Sequence, residues 1–279
     1  SAAGRNCGAR AARHAWLVFV DGHCRLPGPD WLRASMETAL ARRAQCLSRP
    51  QPITLEAGSV WQGAIAHARA HWLGHGADST IFDTTAAGWV NPSSSGAAYR
   101  RDLFLRFGGY DENFDACEDV EFNHRLAQAG IQAWLAPEAV VYYAARRTLR
   151  GLFQQMQRYG RGRVRLSRKH HDAFTLAQCL PALWLAGLPI AAAALALGPT
   201  WLRWSAVCGL ALYAAALTTG AISLGRRHGW RIGLAAPAAS ITIHAGLGAG
   251  CWRELFAPAL IRPAATPCPA PDSLSRSNP

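Results

Sequence analysis

Three long runs without a charged side chain constrain the fold of this 279-residue chain more than any other feature of its sequence. Residues 173–202, 204–225 and 232–252 contain no Asp, Glu, Lys or Arg, although the third run includes Pro237 and His244. A helix needs about 20 predominantly apolar residues to cross a bilayer. The first two runs therefore predict membrane-spanning helices, whereas the third predicts a helix that spans, lies at the interface or re-enters. The length of the runs disfavours the alternative, a buried helix pair in a soluble protein.

The positive charge of the chain lies next to these runs. The 29 Lys and Arg residues outnumber the 17 Asp and Glu residues, which gives a formal net charge of +12, and Lys169 is the only lysine. Residues 146–171 contain nine basic side chains and no acidic one, and a further basic cluster occupies 226–231. Because basic segments favour the cytoplasmic side of a membrane, the sequence predicts a multi-pass protein of the inner (plasma) membrane with its N-terminal domain in the cytoplasm.

Two other classes of function are disfavoured. An arginine-rich block can bind nucleic acid, but this block adjoins a predicted span and no RNA- or DNA-binding module is recognisable, so we expect no nucleic-acid partner. The eight cysteines include no Cys-x-x-Cys pair, which disfavours a zinc ribbon. The basic block instead suits the anionic headgroups of a membrane surface.

Segments before residue 145 alternate between strand-like and helix-like patterns. A strand is predicted at 16–20, a further one is suggested at 53–60, and a helix from Asp115 to Ala129 is stopped by Gly130. This alternation predicts an α/β domain with a mostly parallel sheet. The predicted organisation is an α/β domain at 1–145, a basic juxtamembrane segment at 146–172, two or three membrane helices at 173–257 and a disordered tail at 258–279.

The first candidate site follows the strand at 16–20, where the sequence reads Val20-Asp-Gly-His-Cys24. In open α/β sheets, ligands bind at the carboxyl ends of the strands. A carboxylate and an imidazole are acceptable ligands for Mg²⁺ or Mn²⁺, so Asp21 and His23 are candidate metal ligands. The alternative interpretation is a polar turn after a buried strand.

A second candidate site lies where the predicted helix begins, at Cys117-Glu-Asp-Val-Glu121. Asp115 and Glu118 have the spacing of a capping box, which offers a purely structural role for Glu118. That spacing does not require Asp119. A helix N-terminus stabilises an ionised carboxylate, and a general base must be ionised before it can accept a proton. Asp119, with Glu118 beside it, is therefore a candidate catalytic residue.

A third candidate lies in the basic segment, where Gln155, Arg158 and Tyr159 precede the first predicted span. Glutamine, arginine and an aromatic ring together can contact a phosphate or a sugar. The alternative interpretation is a basic collar at the membrane surface, with no ligand.

In this order, the motifs resemble the membrane-bound family 2 glycosyltransferases of the GT-A fold, and in particular the exopolysaccharide type that includes succinoglycan glycosyltransferases. Gly4-Arg-Asn-Cys-Gly-Ala-Arg10 is similar to the family's helix before the metal strand. The triplet Asp21-Gly-His23 stands where the family has Asp-x-Asp. The resemblance covers about residues 4–165 and extends to the terminal apolar helices.

Three further segments carry the same resemblance. Cys117-Glu-Asp-Val-Glu-Phe122 is similar to the family's Glu-Asp motif, and Gln155-Met-Gln-Arg-Tyr159 resembles Gln-x-x-Arg-Trp, with Tyr in place of Trp. The segment from Asn91 to Arg101, followed by Phe107-Gly-Gly-Tyr-Asp-Glu-Asn-Phe114, resembles the acceptor-side segment of the family.

The resemblance implies an inverting glycosyltransferase that moves a sugar from a nucleotide-sugar donor to a membrane-proximal acceptor, either lipid-linked or saccharide, in polysaccharide or glycolipid synthesis. Asp119 would be the base, with Glu118 beside it, and Asp21 and His23 would hold a divalent metal ion, Mg²⁺ or Mn²⁺. The residues implied in donor or acceptor binding are Arg100, Arg101, Gln155, Arg158 and Tyr159.

The family's first strand–helix units, which bind the nucleotide and would each take about 30 residues, have no counterpart in this sequence. The alternative function is therefore a catalytically incomplete, membrane-anchored remnant that acts as a binding module.

Overall fold

The computed structural model describes residues 2–55, 59–75, 80–92 and 96–257. Its contacts divide the chain into two compact units. The first unit comprises the chain up to Gln51 together with Asp83–Val141, and the second comprises Pro52–Phe82 and Tyr142–Ala257. The tail predicted to be disordered, at 258–279, lies outside the described residues.

Strands occur mainly in the first unit, and the long helices occur in the second. The strands are β1 (Trp16–Val18), β2 (Cys24–Arg25), β3 (Cys46–Ser48), β4 (Ile53–Thr54), β5 (Gly88–Val90), β6 (Gly96–Arg100), β7 (Ala133–Leu135) and β8 (Tyr142–Ala144). The helices are α1 (Ala2–Ala11), α2 (Trp31–Ala41), α3 (Val60–Ala70), α4 (Trp72–His75), α5 (Arg101–Arg106), α6 (Glu118–Gln128), α7 (Leu149–Lys169), α8 (Leu176–Leu197), α9 (Thr200–His228) and α10 (Trp230–Phe256).

The first unit is an α/β domain, which confirms the predicted class. Five of its strands form one sheet in the order β1-β6-β3-β7-β5. The pairing of β3 with β7 is parallel, but β6 is antiparallel to both β1 and β3, and β5 is antiparallel to β7. The prediction of a mostly parallel sheet is therefore wrong. An apolar strand has the same pattern in either direction, so the alternation of strands and helices does not predict which way β5 and β6 run.

Three strands of this sheet nevertheless point the same way. Since β1 and β3 are both antiparallel to β6, they run parallel to each other, and β7 runs parallel to β3. Their carboxyl ends meet at one edge of the sheet, which we call the site edge. This is the edge at which open α/β sheets bind ligands.

The core below the site edge is aromatic. Five rings lie in mutual contact, with neighbouring centroids 4.8 to 6.1 Å apart, and they belong to Phe19, Tyr99, Phe104, Tyr110 and Phe122. All but Phe19 are almost fully buried. Burial of rings of this size stabilises a small domain strongly. The cluster also excludes water, so a polar group packed against it is partly desolvated.

The second unit contains three helices that are long and apolar enough to cross a membrane, namely α8, α9 and α10. They coincide with the three uncharged runs of the sequence. The most apolar part of α8 is only 11% buried, whereas that of α10 is 44% buried and has a lower hydropathy, 1.4 against 2.0. This difference arises because α10 packs along α3 and α7, so that α10 faces protein over much of its length.

Glycines allow α7 and α10 to approach closely. A Cβ atom on Gly160 would lie 2.2 Å from the carbonyl oxygen of Leu247, and one on Gly250 would lie 2.1 Å from that of Gln157. Small residues serve the same purpose between membrane helices in general. Next to this contact, Glu254 of α10 forms ion pairs with two arginines of α7, at 3.0 Å to Arg161 and 2.6 Å to Arg165. The basic helix α7 is thus fixed against α10.

Residues 52–82, which the sequence placed in the α/β domain, belong to the second unit. Among the described residues of the strand suggested at 53–60, Ile53 and Thr54 form β4, and Ser59 begins a helix: its side chain accepts a hydrogen bond from the amide of Gln62. The apolar face of α3 then packs on α10, where Ile65 shares a buried cluster with Ile243.

Candidate active site

The chain turns sharply at the site edge after β1. The amide of Phe19 still pairs with the carbonyl of Ala97 at 3.1 Å, and the amide of Cys24 then donates to the carbonyl of Asp21 at 2.9 Å. Within the described part of the chain, Asp21, His23 and Cys24 each offer one metal-binding atom, and these atoms lie within 4.8 Å of one another. The turn therefore places the two predicted metal ligands together.

Arg5 of α1 joins two of the predicted site residues. Its Nη1 lies 2.6 Å from Oε1 of Glu118, and its Nη2 donates to Oδ1 of Asp21. The Glu118 side chain is only 14% exposed, so this ion pair is partly shielded from water. One guanidinium thus connects the turn after β1 with the start of α6.

The start of α6 has an unusual backbone conformation. Cys117, the N-cap residue, has φ +64° and ψ 20°, which is the left-handed region that residues other than glycine rarely adopt. The capping-box interpretation of Asp115 and Glu118 is wrong, because α6 begins at Glu118 itself and the carboxylate of Glu118 is engaged by Arg5. Strained residues of this kind cluster at functional sites.

Asp119 follows at the second position of α6, where its Oδ1 accepts a hydrogen bond from the amide of Val120 at 2.9 Å. The side chain is accessible to solvent, yet it stands over the aromatic core, close enough to interact electrostatically with Tyr99 and Tyr110. Desolvation by the surrounding protein, followed by the negative charge of Glu118, raises the pKa of Asp119. A carboxylate with a raised pKa is a stronger base than an ordinary aspartate.

Two side chains hold the loop in front of α6. Asn6 of α1 donates to the carbonyl of Tyr110 at 2.7 Å and accepts from its amide at 2.8 Å. Arg125 of α6 donates to the carbonyl of Gly109 at 2.7 Å and pairs at 2.9 Å with Glu121, which is fully buried. Gly109 has φ +69°, and a Cβ atom there would lie 2.6 Å from Oδ1 of Asn6. The residues around the two carboxylates are therefore positioned by a dense polar network.

The donor set of the turn fits a hard divalent cation. A carboxylate oxygen from Asp21 and an imidazole nitrogen from His23 suit Mn²⁺ or Mg²⁺. Cys24 suits neither, because a soft thiolate prefers softer metals than the hard cations Mn²⁺ and Mg²⁺. Asp21 and His23 are thus the residues that would hold the ion, with Arg5 beside the same carboxylate.

Arg100 and Arg101 lie away from this cluster. Arg100 is paired across the sheet with Trp16, at the start of β1, whereas Asp21 follows the end of that strand. Arg100 binds Asp102 at 2.7 Å on the surface, and Arg101 donates to the carbonyls of Ala9 and Arg10 at the end of α1. In the first unit, these two arginines stand at the edge of the sheet opposite the site edge.

The other three predicted binding residues lie on α7, in the second unit. Gln155 is nearly buried and donates to the hydroxyls of Tyr143 at 2.7 Å and Tyr159 at 3.1 Å. Arg158 is exposed. Gln155 and Tyr159 therefore form one hydrogen-bonded group, next to an arginine that faces outwards.

No role in a binding or catalytic site was predicted for Arg5 or Asn6 from the sequence, although both lie in the helix used for the resemblance. The sequence gives little indication of their importance, because a basic residue and an amide in a short helix are common on any protein surface. Only the fold shows that this helix crosses the start of α6 and the turn after β1.

Comparison with known proteins identifies the family of the chain. The family model described as glycosyl transferase family group 2 matches residues 16–220. The O-antigen biosynthesis protein RfbC of Myxococcus xanthus is 26% identical to the chain over 137 residues, which cover 46% of this chain and 11% of that protein. Because the family model matches most of the chain, the chain belongs to glycosyltransferase family 2. An α/β domain followed by apolar helices is consistent with a GT-A member of this family that is bound to a membrane.

Proposed function

We propose that the chain carries the catalytic centre of an inverting glycosyltransferase, which moves a sugar from a nucleotide-sugar donor to a membrane-proximal acceptor. The observation that carries this proposal is the cluster in which Arg5 connects Asp21 with Glu118, next to Asp119. This cluster brings together two motifs that lie about 100 residues apart in the sequence and that both contribute to the family resemblance. The name of the Myxococcus relative favours a polysaccharide of the O-antigen type as the product, and the exopolysaccharide resemblance points the same way.

In this mechanism, Asp119 accepts the proton of an acceptor hydroxyl while the oxygen attacks the anomeric carbon of the donor sugar. The bond from that carbon to the diphosphate breaks in the same step, so the anomeric configuration inverts. A divalent ion held by Asp21 and His23 would stabilise the negative charge of the leaving diphosphate. Glu118 keeps Asp119 basic, and Arg5 keeps Glu118 in place.

The membrane helices suit an acceptor that is itself in the membrane. With the basic helix α7 on the cytoplasmic side, the chain would be a multi-pass protein of the plasma membrane with its catalytic unit in the cytoplasm. Gln155, Arg158 and Tyr159 would contact the donor or the acceptor near the headgroups, and Arg158 would add charge-assisted hydrogen bonds to a phosphate. Arg100 and Arg101 would contact the acceptor only if it extended to the edge of the sheet opposite the site edge.

The alternative is a membrane-anchored remnant that binds a ligand without turning it over. The chain spans only 11% of the length of its Myxococcus relative, so the activity of that whole protein is not carried over to this chain. A hydrolysis assay separates the two: purified chain with Mn²⁺ should release UDP, GDP or dTDP from at least one of the corresponding nucleotide sugars, and EDTA should stop the release. Metal-dependent binding of every such donor without any release would favour the remnant.

The pH dependence of turnover should change when Glu118 is replaced by Gln. Asp119 acts only when ionised, so activity rises as the pH increases through its raised pKa. Removing the charge of Glu118 lowers that pKa, and we expect the acidic limb of the kcat/KM profile to move to lower pH.

Glu37→Gln, which alters an exposed glutamate on α2, is the matched control and should leave the profile in place. An acidic limb that stays fixed, or moves upwards, in Glu118→Gln would contradict the electrostatic coupling of the two carboxylates.

A further inference from the structure

Arg49 is a charged residue placed where a buried strand ends at the site edge. It directly follows Ser48, the last residue of β3, and Ser48 lies opposite Gly96 at the start of β6. Strand β1, which lies on the other side of β6 from β3, ends at the same edge, before the turn that carries Asp21. Arg49 and Asp21 are close enough to interact electrostatically, and so are Arg49 and Cys24.

The guanidinium of Arg49 is buried without sufficient partners. The residue is 5% exposed. Its Nε and Nη1 are enclosed by protein, yet among the described residues no acceptor lies within hydrogen-bonding distance of either atom. A buried charge is costly unless it is paired and hydrogen-bonded, and arginine does not avoid this cost by losing its proton.

The other charges at the site edge do not compensate Arg49. Asp21, the acidic group near it, already accepts a hydrogen bond from Arg5. Desolvation is the dominant influence on the pKa of Arg49 and lowers it, despite the opposing effects of Cys24 and Asp21. By contrast Arg69, the other described arginine with an enclosed and unpaired nitrogen, lies over the ring of Tyr143 at 5.4 Å.

The missing partner should be an anion that enters at the site edge. A guanidinium offers parallel N–H groups that match the oxygens of a phosphate. We propose that Arg49 binds a phosphoryl oxygen of the donor diphosphate beside Asp21, an assignment that rests on the proposed function. Arg49 is then a donor-binding residue near the two metal ligands.

This assignment predicts an unusual combination of effects for Arg49→Met. The variant keeps the apolar stem of the side chain and removes the buried charge, so the midpoint of thermal unfolding without ligand should stay the same or rise. The affinity for inorganic pyrophosphate with Mg²⁺, measured by calorimetry on the purified full chain in detergent, should fall at least about 10-fold, as for loss of a charge-assisted hydrogen bond. UDP and GDP should lose affinity in parallel.

Arg42→Met is the matched control, because Arg42 is an exposed arginine of the same unit that stacks on Trp134 at 4.5 Å. It should leave the affinity for pyrophosphate unchanged. If Arg49→Met does not fold, Arg49→Lys tests the same contact, because lysine keeps the positive charge but lacks the two parallel N–H groups of a guanidinium. The affinity of this variant for pyrophosphate should fall, and its unfolding midpoint should stay unchanged.

Three results would overturn the assignment. Unchanged affinity in a folded Arg49→Met or Arg49→Lys chain would show that Arg49 does not touch the diphosphate. A lower unfolding midpoint with full affinity would make Arg49 a structural cation, satisfied by buried water. If the wild-type chain bound neither pyrophosphate nor any nucleoside diphosphate, it would have no donor-binding site. That result would contradict the proposed function as well as the role of Arg49.

Discussion

Asp119→Asn should abolish sugar transfer and leave metal-dependent donor binding intact. Asparagine has the shape of aspartate, and its side-chain oxygen can still accept the hydrogen bond from the amide of Val120. It cannot accept the proton of the acceptor hydroxyl, and loss of a general base typically reduces turnover about 10²- to 10⁴-fold. We expect donor binding, by contrast, to depend on the groups at Asp21. The measurement is the transfer rate together with the affinity for the nucleoside diphosphate with Mn²⁺.

Asp102→Asn provides the control, since Asp102 is an exposed aspartate of the same unit that pairs with Arg100. It should retain both binding and turnover. If Asp119→Asn instead lost donor binding while the bound fraction still reacted at the normal rate, Asp119 would be a binding residue and the assignment of the base would be wrong.

Arg125→Met should destabilise the first unit strongly. Arg125 pairs with Glu121, which is fully buried, and it donates to the carbonyl of Gly109 in the loop before α6. Removing one partner of a buried ion pair costs about 3–5 kcal/mol, because the remaining charge keeps its desolvation cost. The same arginine binds the loop in front of α6 through the carbonyl of Gly109. Removing its side chain should therefore also disorder this loop, which precedes Asp119. Thermal unfolding followed by near-ultraviolet circular dichroism measures the effect.

The comparison is Arg33→Met, which breaks an exposed pair at 2.7 Å between Arg33 of α2 and Asp30, the residue that precedes this helix. An exposed pair of this kind contributes less than about 1 kcal/mol. If the two variants unfolded at the same temperature, the ion pair between Glu121 and Arg125 would not stabilise the contact of α6 with the loop in front of it.

The sequence predicted the features that depend on local composition. The uncharged runs predicted the three apolar helices because a long stretch without charge is seldom anything else. The α/β class followed from the alternation of patterns, and Gly130, with φ +73°, does end α6 as expected. The positions of Asp21 and His23 after a buried strand were also predictable, because the hydrophobic pattern ends there.

Features that depend on contacts distant in the chain could not be predicted. The direction of β6 is decided by its two neighbours, β1 and β3, rather than by its own residues. The helix α6 begins at Glu118 and not at Asp115, because Cys117 has a left-handed backbone conformation that a helix cannot include. Arg5 also binds the carboxylate that a capping box would have used. Arg49 had a signal in the sequence, an arginine directly after an apolar strand, but its burial follows only from the packing of the sheet.

Arg5 binds the carboxylate of Asp21, which is also the group that would bind a metal ion. It is bound to both Asp21 and Glu118. Binding of a cation at Asp21 and His23 would therefore weaken the hold of Arg5 on Asp21, and the guanidinium would stay attached through Glu118. Under the proposed function, metal binding and the position of Glu118 beside the base would be coupled through this one side chain.

The most direct test of the central claim is a transfer experiment with membranes that contain the chain. Membranes with Mn²⁺ are incubated with labelled UDP-, GDP- and dTDP-sugars, and label is counted in the lipid and polysaccharide fractions. The account predicts that at least one donor labels an acceptor, and that EDTA and Asp119→Asn each remove the label. Label that persists at the wild-type level in Asp119→Asn, or folded chain that transfers no sugar from any of these donors, would contradict it.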